Sequence, residues 1–543
     1  MDRSNFVALF ARAGMLLVLS VAVRAGPRQT AITAPAAIWQ PQLHFYAGPK
    51  WNNDPNGPIL LNGQYHLFYQ YNPFSDQWGH MSWGHAVSRD MVHWTKLPVA
   101  LLEENGVMIF SGSTVEDREN TSGLCGEVGK KTPGCLVAIY TGMSKISQNQ
   151  ERQNQNLAVS RDGGTTWTKY SGNPVIDLGL KDFRDPKVFW HAPSQSWILI
   201  AVLSDVHKAQ IYRSKNLKQW ELASEFGPAG AVGGVWECPD LMELKVRDAN
   251  GNRVGSRWVL SINLNPGGVA GGSGNQYFVG EFDGRRFIED HPGSGPHWAD
   301  WGKDFYASTS FSNTPPDEDR FWIAWMGNWQ YADKVPSLPG RGEMTLVRRV
   351  FLRKVDSGAG AEPLVLVQEP VLPRPPHRSA SAAQTIDEAN TSLAGAIRGS
   401  TAYLLRATLK PGTAKEVGVR LRSDTADTGQ PATEETIVGI DRIKGQIFVD
   451  RTMSGLTSFS PEFPVRTVAL LKHPDAKTVS VEIIVDHNSI EVFAEGGETV
   501  LTNLIYPAKD SRGLGTYAVS ASAGGESAQV RDLELVPLEP ITK

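Results

Sequence analysis

Along most of the chain, hydrophobic positions come in short bursts and not at the three-and-four spacing of a helix. Tyr65-His66-Leu67-Phe68-Tyr69, Leu136-Val137-Ala138-Ile139-Tyr140, Lys187-Val188-Phe189-Trp190, Trp197-Ile198-Leu199-Ile200 and Phe321-Trp322-Ile323-Ala324-Trp325 are of strand length and rich in β-branched and aromatic residues. Gly, Pro, Asn and Asp punctuate the stretches between them. Towards the C-terminus the pattern becomes apolar/polar alternation, in Val417–Leu421, Gln446–Asp450, Val479–Val485 and Ser489–Phe493. Such alternation predicts antiparallel strands with one buried face. Between the two regimes, Gln368-Glu369-Pro370-Val371-Leu372-Pro373-Arg374-Pro375-Pro376-His377 is Pro-rich and is expected to interrupt any sheet. The chain therefore reads as all-β in two parts.

A degenerate repeat sharpens the first part. Val87-Ser88-Arg89-Asp90 runs on to Trp94, Val159-Ser160-Arg161-Asp162 to Trp167, and Tyr212-Arg213-Ser214-Lys215-Asn216 to Trp220. Each is a strand, a polar turn and a Trp. The steps between the Trp residues, 73 and 53, suit propeller blades with insertions. Phe282-Asp283-Gly284-Arg285-Arg286-Phe287 is a divergent fourth copy. The expected architecture is a five-bladed β-propeller over 40–367, a linker over 368–378 and a C-terminal β-sandwich over 379–543.

Composition narrows the function. The 543 residues carry 53 Lys and Arg against 57 Asp and Glu, a formal charge of −4. A near-neutral chain without a basic stripe argues against nucleic-acid and membrane partners. Sixteen Trp in a turn-rich chain suit flat polar ligands such as sugars. The start combines Arg3, an apolar run from Ala13 to Val23 and Ala25, so residues 1–25 read as a signal peptide and the protein as exported, extracellular or periplasmic. Three Cys exclude a disulfide-built scaffold and a multi-Cys zinc site. Cys125 and Cys135 flank a turn-rich loop; bridged or free, both remain open. Asn120-Thr121-Ser122 and Asn390-Thr391-Ser392 fit the glycosylation pattern. Oligomeric state is not legible.

Three acids stand out by context. Asp54, in Trp51-Asn52-Asn53-Asp54-Pro55-Asn56-Gly57, is expected on a turn edge, because Pro fixes φ and Asn-Gly favours a turn. Asp185, in Phe183-Arg184-Asp185-Pro186, sits beside a cation at the start of a strand. Glu237, in Trp236-Glu237-Cys238-Pro239, has weakly polar flanks of the kind that raise a carboxyl pKa. Each also has a purely local reading as a turn acid, an ion pair or a strand-end Glu. Three acids on successive blades would converge on one funnel, and sugar hydrolysis needs two or more. No zinc helix, phosphate loop or nucleophile elbow competes. His85 and His93 read as core or turn residues, not metal ligands.

These segments, with Phe68-Tyr69-Gln70-Tyr71-Asn72-Pro73, Trp78-Gly79, Ser82-Trp83-Gly84-His85-Ala86 and Phe110-Ser111-Gly112-Ser113, resemble glycoside hydrolase family 32, the β-fructosidases, over nearly the whole mature chain. The resemblance implies Asp54 as nucleophile, Glu237 as general acid/base and Asp185 as transition-state stabiliser. It places Asn53, Gln70, Trp78, Ser111, Arg184 and Trp329 in the terminal-fructose pocket, and implies retention with no metal or cofactor. Within the family, the chain is most similar to fungal-type exo-inulinases, which implies exo-hydrolysis of inulin, levan and sucrose. The alternatives are a sucrose-restricted invertase, endo-cleavage, transfructosylation and a non-catalytic sugar-binding propeller. The chain departs from the family at Asn52, where Met is common.

Overall fold

The computed structural model describes residues 36–543 except 128–129, 148–149, 337–339, 356–363, 373–382, 394–400, 426–430, 521–525 and 542–543. The expected signal segment and residues 373–377 of the Pro-rich stretch lie outside the described residues.

Antiparallel neighbours in sequence pair into sheets. The first holds β1 (Trp51–Leu61), β2 (Gln64–Asn72), β3 (Ser82–Ser88) and β4 (Thr95–Leu101). The second holds β5 (Val107–Glu116), β6 (Leu136–Ser147), β7 (Gln150–Ser160) and β8 (Thr168–Lys169). The third holds β9 (Phe183–His191), β10 (Ser196–Leu203), β11 (Lys208–Ser214) and β12 (Glu221–Phe226). The fourth holds β13 (Val235–Arg247), β14 (Arg253–Asn265), β15 (Gly274–Phe282) and β16 (Phe287–Glu289), with the short β17 (His297–Trp298) on β15. The fifth holds β18 (Tyr306–Ser310), β19 (Arg320–Met326), β21 (Arg348–Lys354) and β22 (Leu364–Pro370), with β20 (Glu343–Met344) on β19. Val246 and Arg247 pair in parallel with Leu352 and Arg353, which joins the fourth and fifth sheets.

Burial explains the layering. Strands β3 and β10 are buried almost throughout, whereas the outer strands β4 and β12 are largely exposed. Phe68 and Trp83 of the first sheet pack on Ile109 and Tyr140 of the second. Val137 and Leu157 pack on Val188 and Leu199 of the third, and Ile198 and Ile211 on Leu260 and Phe278 of the fourth. Leu244 and Val259 pack on Trp322 and Val350 of the fifth, and Phe311 and Ile323 return to Leu67 and Tyr69 of the first. The first strands of the five sheets follow the same cycle: β1 lies beside β5, β5 beside β9, β9 beside β13, β13 beside β18 and β18 beside β1.

The repeated turns occupy equivalent places. Asp90 Oδ1 accepts the amides of Val92 and His93, Asp162 Oδ1 those of Thr165 and Thr166, and Asn216 Oδ1 those of Lys218 and Gln219. Asp283 Oδ1 accepts those of Arg285 and Arg286 in the fourth sheet. In each sheet this turn joins the third strand to the fourth, and an Asx side chain can cap it because it mimics a backbone carbonyl. His85 stacks on Phe68 at 4.3 Å and His93 pairs with Asp90, core and turn roles respectively.

The described residues after Pro370 form two more sheets. One has the order β23 (Gln384–Thr385), β33 (Gln529–Pro537), β24 (Tyr403–Lys410), β29 (Val479–Val485), β30 (Ser489–Ala494), β31 (Thr499–Leu504). The other has β28 (Arg466–Leu470), β27 (Gln446–Met453), β26 (Glu435–Asp441), β25 (Ala414–Ser423), β32 (Gly513–Ser520). One core draws on both, with Leu405, Val481 and Val492 against Val419, Val438 and Ile447. A short helix, α1 (Ile386–Leu393), was not expected from the sequence pattern. It opens on a reciprocal cap: Thr385 Oγ1 accepts the Glu388 amide, and Glu388 Oε2 accepts the Thr385 amide at 2.7 Å.

The sheet was expected to stop at Gln368, yet Gln368, Glu369 and Pro370 pair with Val350, Arg349 and Arg348. Proline is tolerated there because β22 is an edge strand. Cys125 and Cys135 are bridged, with Cα atoms 5.9 Å apart. Asn120 of the first glycosylation pattern is fully buried and donates to Glu127 O, so the folded protein does not present it as an acceptor. Chain-entropy reasoning for so small a loop predicts that replacing both cysteines with Ser lowers stability by about 2–3 kcal/mol. Urea unfolding of that double variant checks it; an unchanged midpoint would show that the bridge adds nothing.

Candidate active site

All five inner strands carry a β-bulge at the same height. Asn53 and Asp54 of β1 face the single residue Gln70, Phe110 and Ser111 of β5 face Thr141, and Asp185 and Pro186 of β9 face Ala201. Cys238 and Pro239 of β13 face Ile262, and Ala307 and Ser308 of β18 face Ala324. A bulge inserts one residue, twists the strand and re-aims its side chains. Asp185, Cys238 and Ala307 take φ of 63°, 43° and 55° to do so. This corrects the turn-edge reading of Asp54 and the strand-end readings of Asp185 and Glu237. All three lie inside strands, and the prolines beside them mark bulges, one of the few sites where a sheet interior accepts Pro.

The bulges bring all nine sequence-predicted residues around one cavity of about 400 Å³: Asn53, Asp54, Gln70, Trp78, Ser111, Arg184, Asp185, Glu237 and Trp329. Asp54 is held by two donors. Asn53 Nδ2 reaches Oδ1 at 3.0 Å and Ser111 Oγ reaches Oδ2 at 2.6 Å. Asn53 is itself oriented by Trp51 Nε1 at 2.8 Å. Asp185 Oδ2 accepts the Cys238 amide at 2.9 Å, and its own amide donates to Thr141 Oγ1. Glu237 lies between two donors, Arg184 Nε at 3.1 Å and the Tyr306 hydroxyl. It is therefore not in the apolar setting its neighbours suggested, because Trp236 turns into the core between the third and fourth sheets. Trp329 stacks on Trp51 at 5.9 Å, and Trp78, 45% exposed, forms an open rim edge-on to Phe110.

Asn52, the departure from the family pattern, is fully buried, and neither its Oδ1 nor its Nδ2 has a hydrogen-bond partner among the described residues. Sequence reasoning left out Tyr306 and Cys238 as site residues. The Cys238 thiol sits 3.6 Å from both Asp54 Oδ2 and Asp185 Oδ2. The signal for Cys238 was its place before a strand-interior Pro. Tyr306 carries no such mark.

Electrostatics follow from crowding acids in a buried space. Burial pushes the Asp54 carboxyl above the usual range; the Ser111 bond pulls it back and the Glu237 charge adds to the rise. Burial also raises Asp185, opposed by Arg184 and reinforced by Glu237 and Asp54. Arg184 is raised despite its own burial, because Glu237, Asp185 and Asp182 surround it. A carboxyl raised in the folded state favours folding fully only below its unfolded pKa of about 4, and that contribution is lost as pH climbs through the raised value. Asp185→Asn is therefore expected to raise the Tm at pH 7, by the equivalent of about 1 kcal/mol or more, with the gain vanishing near pH 3. Melts at the two pH values check this; equal gains at both would refute the titration account.

Residues 44–368 match the glycosyl hydrolases family 32 N-terminal domain and residues 374–535 the family 32 C-terminal domain. The chain belongs to glycosyl hydrolase family 32. Among curated family relatives, the levanase of Bacillus subtilis is 44% identical over 93% of this chain and 71% of its own length. The extracellular exo-inulinase of Aspergillus awamori is 41% identical over 90% of this chain and 93% of its own. The crystal structure of the latter superposes with a TM-score of 0.79 at 37% identity, covering 93% and 99% of the two chains. A β-fructofuranosidase of Schwanniomyces occidentalis complexed with fructosyl-erythritol gives 0.77 at 33% identity, over 92% and 99%. Family 32 membership makes the protein a glycoside hydrolase, in agreement with the resemblance read from the motifs. No helix among the described residues is long and apolar enough to cross a membrane.

Proposed function

We propose that the protein is a secreted, exo-acting β-fructosidase that removes terminal β-D-fructofuranosyl units from inulin, levan and sucrose with retention. The observation that carries this reading is the setting of Asp54, an acid at the floor of a cavity with both oxygens oriented by donors and an aromatic wall beside it. Asp54 attacks the anomeric carbon of the fructosyl unit. Glu237 gives its proton to the departing oxygen and then takes one from the water that releases the sugar. Asp185 accepts hydrogen bonds from the ring hydroxyls and balances the positive charge that develops. Asn53, Gln70, Ser111 and Arg184 fix the unit, and Trp78 and Trp329 flank it. Glu151, Lys181 and Asp182 on the rim face the leaving group, and the buried Gln153 accepts from Arg184 Nη1.

In this reading the five four-stranded sheets are the blades of a propeller around the axis of the inner strands, and the last two sheets form a β-sandwich. With β22 running to Pro370, the propeller spans 40–370, the linker 371–378 and the sandwich 379–543. Export is supported by the pattern of residues 1–25, by the disulfide and by the extracellular relatives. A time course of products from inulin, levan and sucrose tests the function. Fructose as the sole early product from inulin and levan, and fructose with an equal amount of glucose from sucrose, are expected. Early oligosaccharides would mean endo-cleavage, and negligible polymer rates would mean a sucrose-restricted enzyme.

A further inference from the structure

Four of the five inner strands cross from the candidate active site to a second cavity. Their N-terminal halves supply Ser111, Asp185, Glu237 and Tyr306, while their C-terminal ends supply Glu116, Trp190, Glu243 and Ser310. The two cavities therefore open at opposite ends of the same strands. The second is the larger, about 550 Å³ against about 400 Å³. Between them lies a gap of about 20 Å³ beside Lys187 and Cys238, room for about one water and no sugar.

The lining of the second cavity has a definite chemistry. Trp190 is 44% exposed and is held edge-on by Trp197 at 5.2 Å. Trp258 is fixed against Phe282 at 5.0 Å and Phe189 at 5.6 Å. Around these rings are acceptors and a donor: Glu243 Oε1 accepts from the Ser256 hydroxyl while its Oε2 has no hydrogen bond among the described residues, Asp283 is exposed, and Arg320 donates through Nη1 to Thr314. Arg320 makes no ion pair with the described residues. Rings with both donors and acceptors at their edges suit a neutral polyol. Glu243 and Asp283 oppose an anionic ligand and Arg320 a cationic one, whereas Glu116 pairs with Arg118 and the buried Lys187 with Asp240.

We propose that this distal cavity is a non-catalytic sugar site that holds a short stretch of fructan chain; the kind of sugar rests on the fructosidase reading. Because the axial gap passes no sugar, the site anchors polymer at one mouth while chain ends are trimmed at the other.

The test is calorimetric titration of the Asp54→Asn protein with short inulin-type oligosaccharides. Two binding sites are expected. Trp190→Ala and, separately, Glu243→Ala each weaken one of them about tenfold and leave the other intact. In the chain that keeps Asp54, Trp190→Ala leaves kcat/KM on sucrose unchanged and lowers it on long inulin. A single site insensitive to both substitutions overturns the proposal even if sucrose is hydrolysed. A Trp190-sensitive site in a protein that cleaves no fructoside would sustain the proposal and overturn only the fructosidase reading.

Discussion

Asp54→Asn is expected to reduce kcat on sucrose by about 10⁴-fold or more, because an amide cannot form the fructosyl ester of the proposed two-step reaction. The substitution is nearly isosteric. Asn53 and Ser111 remain on either side, and Trp51 still holds Asn53. Sugar affinity should therefore survive while turnover is lost. Single-turnover and steady-state rates on sucrose, with oligosaccharide binding measured alongside, make the comparison. A loss of less than about tenfold would mean another group attacks; a parallel loss of binding would mean the pocket has collapsed. The raised pKa of Asp54 adds a pH signature. Its ionised form is the competent one, so the acidic limb of kcat/KM should lie above the ordinary aspartate range, near 4. Ser111→Ala removes a bond that favours the ionised form, and should move that limb further upward.

Arg348→Ala is expected to destabilise the protein by about 3–5 kcal/mol. Arg348 is fully buried where β21 of the fifth sheet meets β30 and β31. It donates to Glu491 Oε2 through Nε at 3.1 Å, to Asp300 Oδ2 at 3.0 Å, to Gln368 Oε1 at 2.9 Å and to Thr502 Oγ1 at 2.6 Å. Truncation leaves Asp300 and Glu491 buried with one cation removed, which costs far more than a pair formed in water would return. Lysine is a poor substitute, since one ammonium cannot span the planar fork. His44 bridges Asp486 at 2.7 Å and Glu491 at 2.9 Å in the same buried region. Burial alone would lower its pKa, but the two carboxylates raise it to about 10. That stabilisation is complete below about pH 6.5 and is lost as pH rises through about 10. Urea midpoints for Arg348→Ala at pH 7 test the junction; a change under about 1 kcal/mol would show that it is not held this way.

Local chemistry explains how much of this was legible beforehand. The strands β2, β6, β10 and β19 were visible because burial on both faces demands uninterrupted β-branched and aromatic runs. The turns at Asp90, Asp162 and Asn216 were visible because an Asx side chain bonds its own neighbours wherever the chain goes. The Asp-Pro and Cys-Pro pairs were read as turns or strand ends. They are bulges, and telling these apart requires knowing that a partner strand continues alongside.

By itself, then, the sequence determined the all-β character, the repeating turn and, through its motifs, the nine residues that share the cavity. Only the tertiary structure decided that Tyr306 meets Glu237, that the Cys238 thiol lies between two carboxylates, that Cys125 joins Cys135, and that a second aromatic cavity opens at the far ends of the same strands. The reason is physical. Period-two patterning and turn chemistry act over a few residues, whereas these contacts join residues brought together by the closing of five sheets on one another, which no local pattern encodes.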